Sequence, residues 1–360
     1  MGKVSSKSVR YPASPTSPSK HSKRSRQKSN ASSTTSQESN SSFNRSNNHH
    51  QQQCPSPASS QESFFSPCRS TDFDIYEYIG DRKHCNNDLD DVNYIYPVDD
   101  DEIDRVQMQH FMYKHVWGGN FSSPVQDLLQ KEDTKILDIG CGSGAWVLEM
   151  ATEYQNPQFT GIDVAPLYPT EIKPENVTFQ QANVLLGLPF EDNTFDFVYI
   201  RFMIFAFSVE DWERAIKEVV RVTKPGGWVE IMEKDLYWCN EGPFCKAART
   251  AVAEALRESK NMEIILSPII PNILSSISNL DSNINHDERS VPFGEWGGKL
   301  GTIYRDLYTW GAKNLKTFMK GIGFNEDEWD ETVDICMKQL NDRKGFDKIH
   351  RFWAMKKLEP

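Results

Sequence analysis

No stretch of this 360-residue chain stays apolar for the roughly 18 residues that a membrane span needs. The most apolar run, Ile264 to Ile277, is broken by Pro268 and Pro271. No apolar block stands near Met1, so no secretory leader is expected. The cysteines (Cys54, Cys68, Cys85, Cys141, Cys239, Cys245 and Cys336) are odd in number, scattered, and never spaced C-x2-C. That argues against a disulfide framework or a zinc site and fits a reducing compartment. Hydrophobic residues make up only 38% and the mean hydropathy is −0.61, so part of the chain is expected to lie outside any packed core. The length allows two or three domains, or one large domain with a tail. Acids are scarce in the first 70 residues, where only Glu38 and Glu62 stand among ten Lys and Arg. The whole chain nevertheless carries a net charge of −11, so the body is strongly acidic. Such a body is a poor general binder of duplex nucleic acid, whose phosphates need Lys and Arg.

Residues 1–72 are rich in Ser, Asn, Gln, Pro and basic residues, and nearly empty of apolar ones before Phe64 and Phe65. That composition buries too little surface to offset its ordering entropy, so a disordered tail is expected. Met1-Gly2-Lys3-Val4-Ser5-Ser6 fits the N-myristoylation pattern, with Gly2 as the acylated residue once Met1 is removed. A single acyl chain holds marginally, and the basic cluster from Lys20 to Lys28 is a second, electrostatic signal toward anionic lipid. The same cluster also reads as a nuclear address, or the acylation match is accidental. Ser14, Ser17, Ser56 and Ser66 each precede Pro; phosphorylation there would weaken either basic function.

From Tyr76 aromatic residues appear, followed by an acidic stretch. Asp99, Asp100, Asp101 and Glu102 precede Ile103, Val106, Met108 and Phe111/Met112 at helical spacing. Acids at a helix N-terminus complement its dipole, so the run reads as the cap of a helix from about Asp100 to His115 and not as a metal site. Thr134 to Ile139 is a short apolar strand running into Gly140-Cys141-Gly142-Ser143-Gly144, and then into a helix with Trp146, Val147, Met150 and Ala151 on one face. Strand, glycine turn, helix is the opening of a doubly wound α/β sheet. Further strands are read at Gln158–Asp163, Val177–Ala182, Phe195–Arg201 and Trp228–Glu233, the last entered through a Lys224-Pro225-Gly226-Gly227 turn. A helix starts at Ser208, where Ser208-x-x-Asp211 is a capping box and Trp212, Ala215/Ile216 and Val219 form the buried face. Strands alternating with helices imply a parallel sheet.

Gly140, Gly142 and Ala145 formally satisfy the dinucleotide pattern G-x-G-x-x-G/A. The whole series is more specific. Asp138 precedes the glycines, Gly144 completes G-x-G-x-G, and Asp163 ends the second strand 25 residues after Asp138. From Ile136 to Met232 the chain resembles the class I S-adenosylmethionine-dependent methyltransferases. The flanks, Asp101-Glu102-Ile103-Asp104-Arg105, Gln109-His110 and Trp117-Gly118-Gly119 before the core and Val291 to Gly301 after it, resemble a fungal branch tied to secondary metabolism. The resemblance implies an α/β fold: a doubly wound Rossmann-like sheet, mostly parallel, whose last strand (Lys348 to Lys356) is antiparallel. It implies a domain over 73–360, with an N-terminal helical cap over 73–133, a cofactor core over 134–235, and C-terminal helices, last strands and lid over 236–360. Helices between Tyr304 and Asn341 would cover the acceptor.

The implied cofactor is S-adenosyl-L-methionine. Gly140, Cys141, Gly142, Ser143 and Gly144 would approach its methionine part, with Asp138 orienting the turn or meeting the amino group through water. Asp163 would hold the ribose hydroxyls, Val164 would pack on adenine, and Asn183, where the family often has Asp, would accept from the adenine amine beside Val184. Cys141 reads as a packed residue and not a nucleophile. Arg201 stands at the cofactor site or on the surface, and Phe202 and Met203 are acceptor-site candidates. A general base is needed only for a protonated acceptor; His110 and His115 are the candidates, against a purely helical role for both. The position after the fourth strand reads Ile200-Arg201-Phe202-Met203, without an Asp/Asn-Pro-Pro-aromatic run, and no Pro-Cys pair occurs, which disfavours nucleic acid acceptors. The expected function is methyl transfer to a small molecule. The alternatives are a protein acceptor or a cofactor-binding regulator with little catalysis. The expected location is cytoplasmic, membrane-associated if Gly2 is acylated, with the nucleus as the alternative.

Overall fold

The computed structural model describes residues 76–86 and 92–358; the tail and its Gly2, basic-cluster and Ser-Pro features lie outside the described residues. The region read as a helical cap opens instead on a hairpin, β1 (Tyr76–Ile79) and β2 (Arg82–Cys85), turned at Gly80, whose φ of 68° suits glycine. Four-residue, charge-rich strands show no alternation over enough length to be read in sequence.

Helix α1 (Asp100–Trp117) begins where expected. The Asp99 side chain accepts from the Glu102 amide, and Gly118 closes the helix in the left-handed conformation. Asp99 also takes two hydrogen bonds from Arg82, so the acidic run works as a cap and a brace.

Strands β3 (Lys135–Ile139), β4 (Gln158–Asp163), β5 (Val177–Gln181), β6 (Phe195–Arg201), β7 (Thr223–Lys234), β8 (Asn285–Pro292) and β9 (Phe346–Met355) form one sheet in the order β5-β4-β3-β6-β7-β9-β8. The first five are parallel, and β9 runs antiparallel to both β7 and β8. Crossovers α2 (Ala145–Glu153) and α3 (Val209–Val222) bury the faces read from their spacing. Trp146 stacks on Tyr199 with centroids 4.4 Å apart, and Ser208 and Asp211 form the reciprocal capping box. The Lys-Pro-Gly-Gly segment is not a free turn. It loops out within β7 opposite Asp196, which accepts from Lys224 Nζ (2.7 Å) and the Lys135 amide (2.8 Å).

After β7 come α4 (Pro243–Lys260) and α5 (Ile269–Ser276). Between β8 and β9 the chain inserts α6 (Gly298–Asn314), α7 (Lys316–Gly321) and α8 (Glu326–Asp342). The loop after α1 is pinned to the sheet by a buried charge pair. Glu230 accepts from the Ser122 amide (2.8 Å) and from the Ser123 amide and hydroxyl (both 2.7 Å). Arg351 donates to Gly119 O (3.0 Å) and lies 3.6 Å from Glu230. Helix α1 is thereby fixed over the C-terminal ends of the parallel strands, where α/β sheets bind ligands.

Candidate functional site

The first α/β turn is shaped by glycine. Gly140, Gly142 and Gly144 all have positive φ (66°, 55° and 76°), which side-chain-bearing residues rarely adopt. Space agrees with torsion. A Cβ on Gly140 would lie 2.7 Å from Met203 Sδ, and one on Gly144 would lie 2.6 Å from the Phe179 ring. The turn and Asp163 meet in the wall of one cleft. Asp163 Oδ2 accepts from the Gly142 amide (2.7 Å), and Oδ1 accepts from the Ala165 amide (2.9 Å). Burial pushes the Asp163 carboxyl up, opposed by these backbone donors.

Asp138 lies in β3, just before the turn, and is buried; among the described residues neither carboxylate oxygen has a partner. Burial raises its carboxyl to about 7, with Arg201 pulling the other way. Two orphaned oxygens in a native interior ask for a donor.

The cleft, about 1510 Å³ with its open mouth counted, collects most of the residues named from sequence. Gly140, Cys141, Gly142 and Ser143 line it, as do Asp163, Val164, Asn183 and Val184, and then Arg201, Phe202 and Met203. Gly144 caps α2, and Asp138 sits in the strand below, so neither lines the cleft. Asn183 Oδ1 accepts from the Leu185 amide (3.0 Å), so one lone pair already holds the turn at Val184–Leu186. Burial and neighbouring carboxylates keep Cys141 protonated, in keeping with a packed residue.

Phe202 has a φ of 57°, which a bulky residue adopts only where its surroundings impose it. Its amide donates to Met232 O, its ring lies 4.8 Å from that of Tyr113, and the Met203 amide donates to buried Glu233. The bend thus turns the end of β6 across the cleft floor.

The two histidines part company. His115 is exposed on α1 and lies outside the cleft, so it is not the base. His110 lines the cleft but has both ring nitrogens engaged. Arg201 Nη1 can only donate, so His110 Nδ1 accepts it (3.0 Å); Nε2–H then donates to Glu149 Oε2 (2.7 Å). Burial and the Arg201 charge hold the imidazole well below its ordinary pKa. A ring with no free lone pair is a poor base; here it orients Arg201, which is therefore no loose surface charge.

Sequence reading missed the strap before α1. Tyr94, Tyr96, Pro97 and Val98 line the cleft, as do Glu102, Arg105 and Gln109 from α1. The Tyr-x-Tyr-Pro cluster was the available signal, but nothing local says where a strap lies. Lys234, at the end of β7, was also missed.

The strand order, the glycine turn and the acid after β4 give the doubly wound, Rossmann-like sheet that the resemblance implies. Residues 136–227 match the family described as a methyltransferase domain. It is similar to the secondary metabolism regulator laeA of Coprinopsis cinerea, with 29% identity over 42% of this chain and 38% of the relative. It is similar also to the N-methyltransferase tcpN of Claviceps purpurea, with 34% identity over 39% of this chain and 52% of the relative. The chain thus spans about half or less of the length of these curated relatives. A solved structure titled as a putative sarcosine dimethylglycine methyltransferase from Galdieria sulphuraria aligns with 16% identity and a TM-score of 0.39, over 70% of this chain and 98% of that one.

The residues present fit S-adenosylmethionine. The side-chain-poor turn leaves backbone room, Asp163 suits a ribose diol, and the Asp138 oxygens behind the turn suit the donor's ammonium group through water.

Proposed function

We propose that this chain transfers a methyl group from S-adenosylmethionine to a small-molecule acceptor. The observation that carries the reading is the pairing of the Asp163 carboxylate with the Gly142 amide at 2.7 Å, in the cleft lined by the turn. When bound, the donor supplies an electrophilic methyl group on a sulfonium that leaves as a neutral thioether. The protein's part is orientation and exclusion of water. Asp163, held by two backbone donors, anchors the diol and sets how deep the donor lies. The strap and α1 cover the cleft, and Phe202 and Met203 form its floor. Arg201, held through His110, gives that floor a fixed positive charge.

The covered cleft favours a small acceptor over a protein side chain. A regulator that binds the donor without turnover is a second reading, favoured by the similarity to a protein named as a regulator. One assay separates these: release of S-adenosylhomocysteine by the full chain supplied with S-adenosylmethionine and a cell extract fractionated by size. Turnover with the small-molecule fraction supports the proposal, turnover with the protein fraction alone moves the acceptor to protein, and donor binding without turnover supports a regulator. For location, the acylation pattern at Gly2 and the basic cluster support a cytoplasmic protein held peripherally at membranes, against the nuclear alternative.

A further inference from the structure

A second cavity, about 780 Å³ with its mouth counted, lies beside the donor cleft. The two share Tyr96, Arg105, Phe205 and Lys234, which form a throat between them. The second cavity is walled by α4, α6, α7 and α8, with Trp238, Leu307, Tyr308, Met319, Trp329 and Val333 supplying an aromatic and aliphatic surface. Among the described residues no Asp or Glu lines it, and its charged side chains are Arg105, Lys234 and Arg249. Two of these are already matched. Glu102 grips Arg105 through both carboxylate oxygens, and Glu241 grips Arg249 likewise. Lys234 is different. Among the described residues its ammonium makes no ion pair or hydrogen bond, and lies 4.5 Å over the Tyr308 ring.

We propose that this cavity is the acceptor chamber for an apolar, ring-bearing molecule without positive charge, and that Lys234 at the throat takes the proton from its nucleophilic O–H or N–H. The inference rests on the methyl-transfer reading. An acceptor carrying an aliphatic ammonium would meet no acid on these walls and, at the throat, the unmatched Lys234, which disfavours it. A neutral ring system finds apolar walls, and its ionised form finds Lys234.

The groups around Lys234 leave it as the one suited to this task. Arg105 is always charged. Burial keeps the phenols of Tyr96 and Tyr308 protonated. Asp347, on β9, already accepts from the Tyr304 hydroxyl (2.6 Å) and the Lys348 amide (2.8 Å). Glu233, next to Lys234 in β7, accepts from the Met203 amide and does not line either cavity. Burial lowers Lys234 to about 8, aided by Arg105 and opposed by Asp347 and Glu233, so a useful fraction is a free amine near neutral pH. In the reaction the acceptor's X–H proton passes to the Lys234 amine and the X lone pair forms the bond to the methyl carbon. The carbon–sulfur bond breaks with its electron pair left on sulfur, and the Lys234 ammonium returns its proton to water.

The test uses the full chain with 4-nitrophenol, whose phenolate absorbs visible light, and with the cationic 4-nitrobenzylamine. The phenol is expected to bind about tenfold or more tightly than the amine, and to titrate about one pH unit or more lower bound than free. Lys234→Met abolishes that shift, whereas Lys234→Arg retains it because the charge remains. In protein carrying 13C at lysine Cε, one resonance titrates about two pH units below ordinary lysines, and it is missing from Lys234→Arg. A preference for the amine, no binding of the phenol, an unshifted phenol titration in the wild type, or the absence of a low-titrating lysine overturns the proposal. None of these readouts uses S-adenosylmethionine, so failed donor binding counts against the methyl-transfer reading alone.

Discussion

Asp163→Ala tests the donor site at the side chain on which most of its geometry converges. In the folded chain this carboxylate accepts from the Gly142 and Ala165 amides at 2.7 and 2.9 Å, and it faces the cleft where a ribose diol would lie. Truncation removes the diol's acceptor and releases the two amides that shape the turn. Hydrogen bonds to a charged acceptor contribute about 1.5–3 kcal/mol each, but part of that loss falls on the free protein. A net loss of about 1–3 kcal/mol in donor affinity follows, which raises Kd by roughly 5- to 140-fold at 1.4 kcal/mol per decade. Asp163→Asn keeps one carbonyl oxygen and is expected to fall between wild type and Ala. The assay is calorimetric titration with S-adenosylhomocysteine, run well below the melting temperature of each variant and accompanied by ligand-free melts. Wild-type affinity in Asp163→Ala, with the melt unchanged, removes Asp163 from the site and refutes the reasoning.

Three further outcomes are expected. Burial raises the Asp138 carboxyl from 3.8 to about 7, so its neutral form is favoured in the folded state. The stability tied to that proton is fully present below about pH 4 and is lost as the pH rises through about 7. Asp138→Asn should therefore melt progressively higher than wild type between pH 5 and 8 in the absence of donor; parallel melting curves would contradict this. Glu230→Ala strips the partner from buried Arg351 and from the Ser122 and Ser123 amides, and is expected to cost about 3 kcal/mol or more, seen as a melting point lower by about 6 °C or more. In cells, Gly2→Ala should move the protein from the membrane to the soluble fraction; an unaltered distribution dismisses acylation.

The parallel core was legible because its signals are local. A short apolar strand, a glycine turn and an amphipathic helix each state their period within a dozen residues, and α1, β3, β4 and β6 begin or end within a residue or two of the expected places. The cofactor side of the cleft was legible for the same reason, since Gly140 to Gly144 and Asp163 lie at strand ends that the sheet must align. What escaped depends on long-range placement. Residues 94–98 have no period of their own, and their role as a strap appears only once the cleft exists. His110 looked like a base because its residue type suggests one; its partners Arg201 and Glu149 are 91 and 39 positions away. Lys234 reads as the polar end of an apolar strand, and its place in a throat depends on α6 and β9 closing around it.

A crystal structure of the full chain with S-adenosylhomocysteine would show whether one cleft, built from the glycine turn and Asp163, grips the adenosyl donor. The ribose hydroxyls are expected within hydrogen-bonding distance of Asp163, with the amino-acid end lying against Gly140 to Ser143. A ligand bound elsewhere, or one that leaves the Asp163 carboxylate without contact, would contradict it.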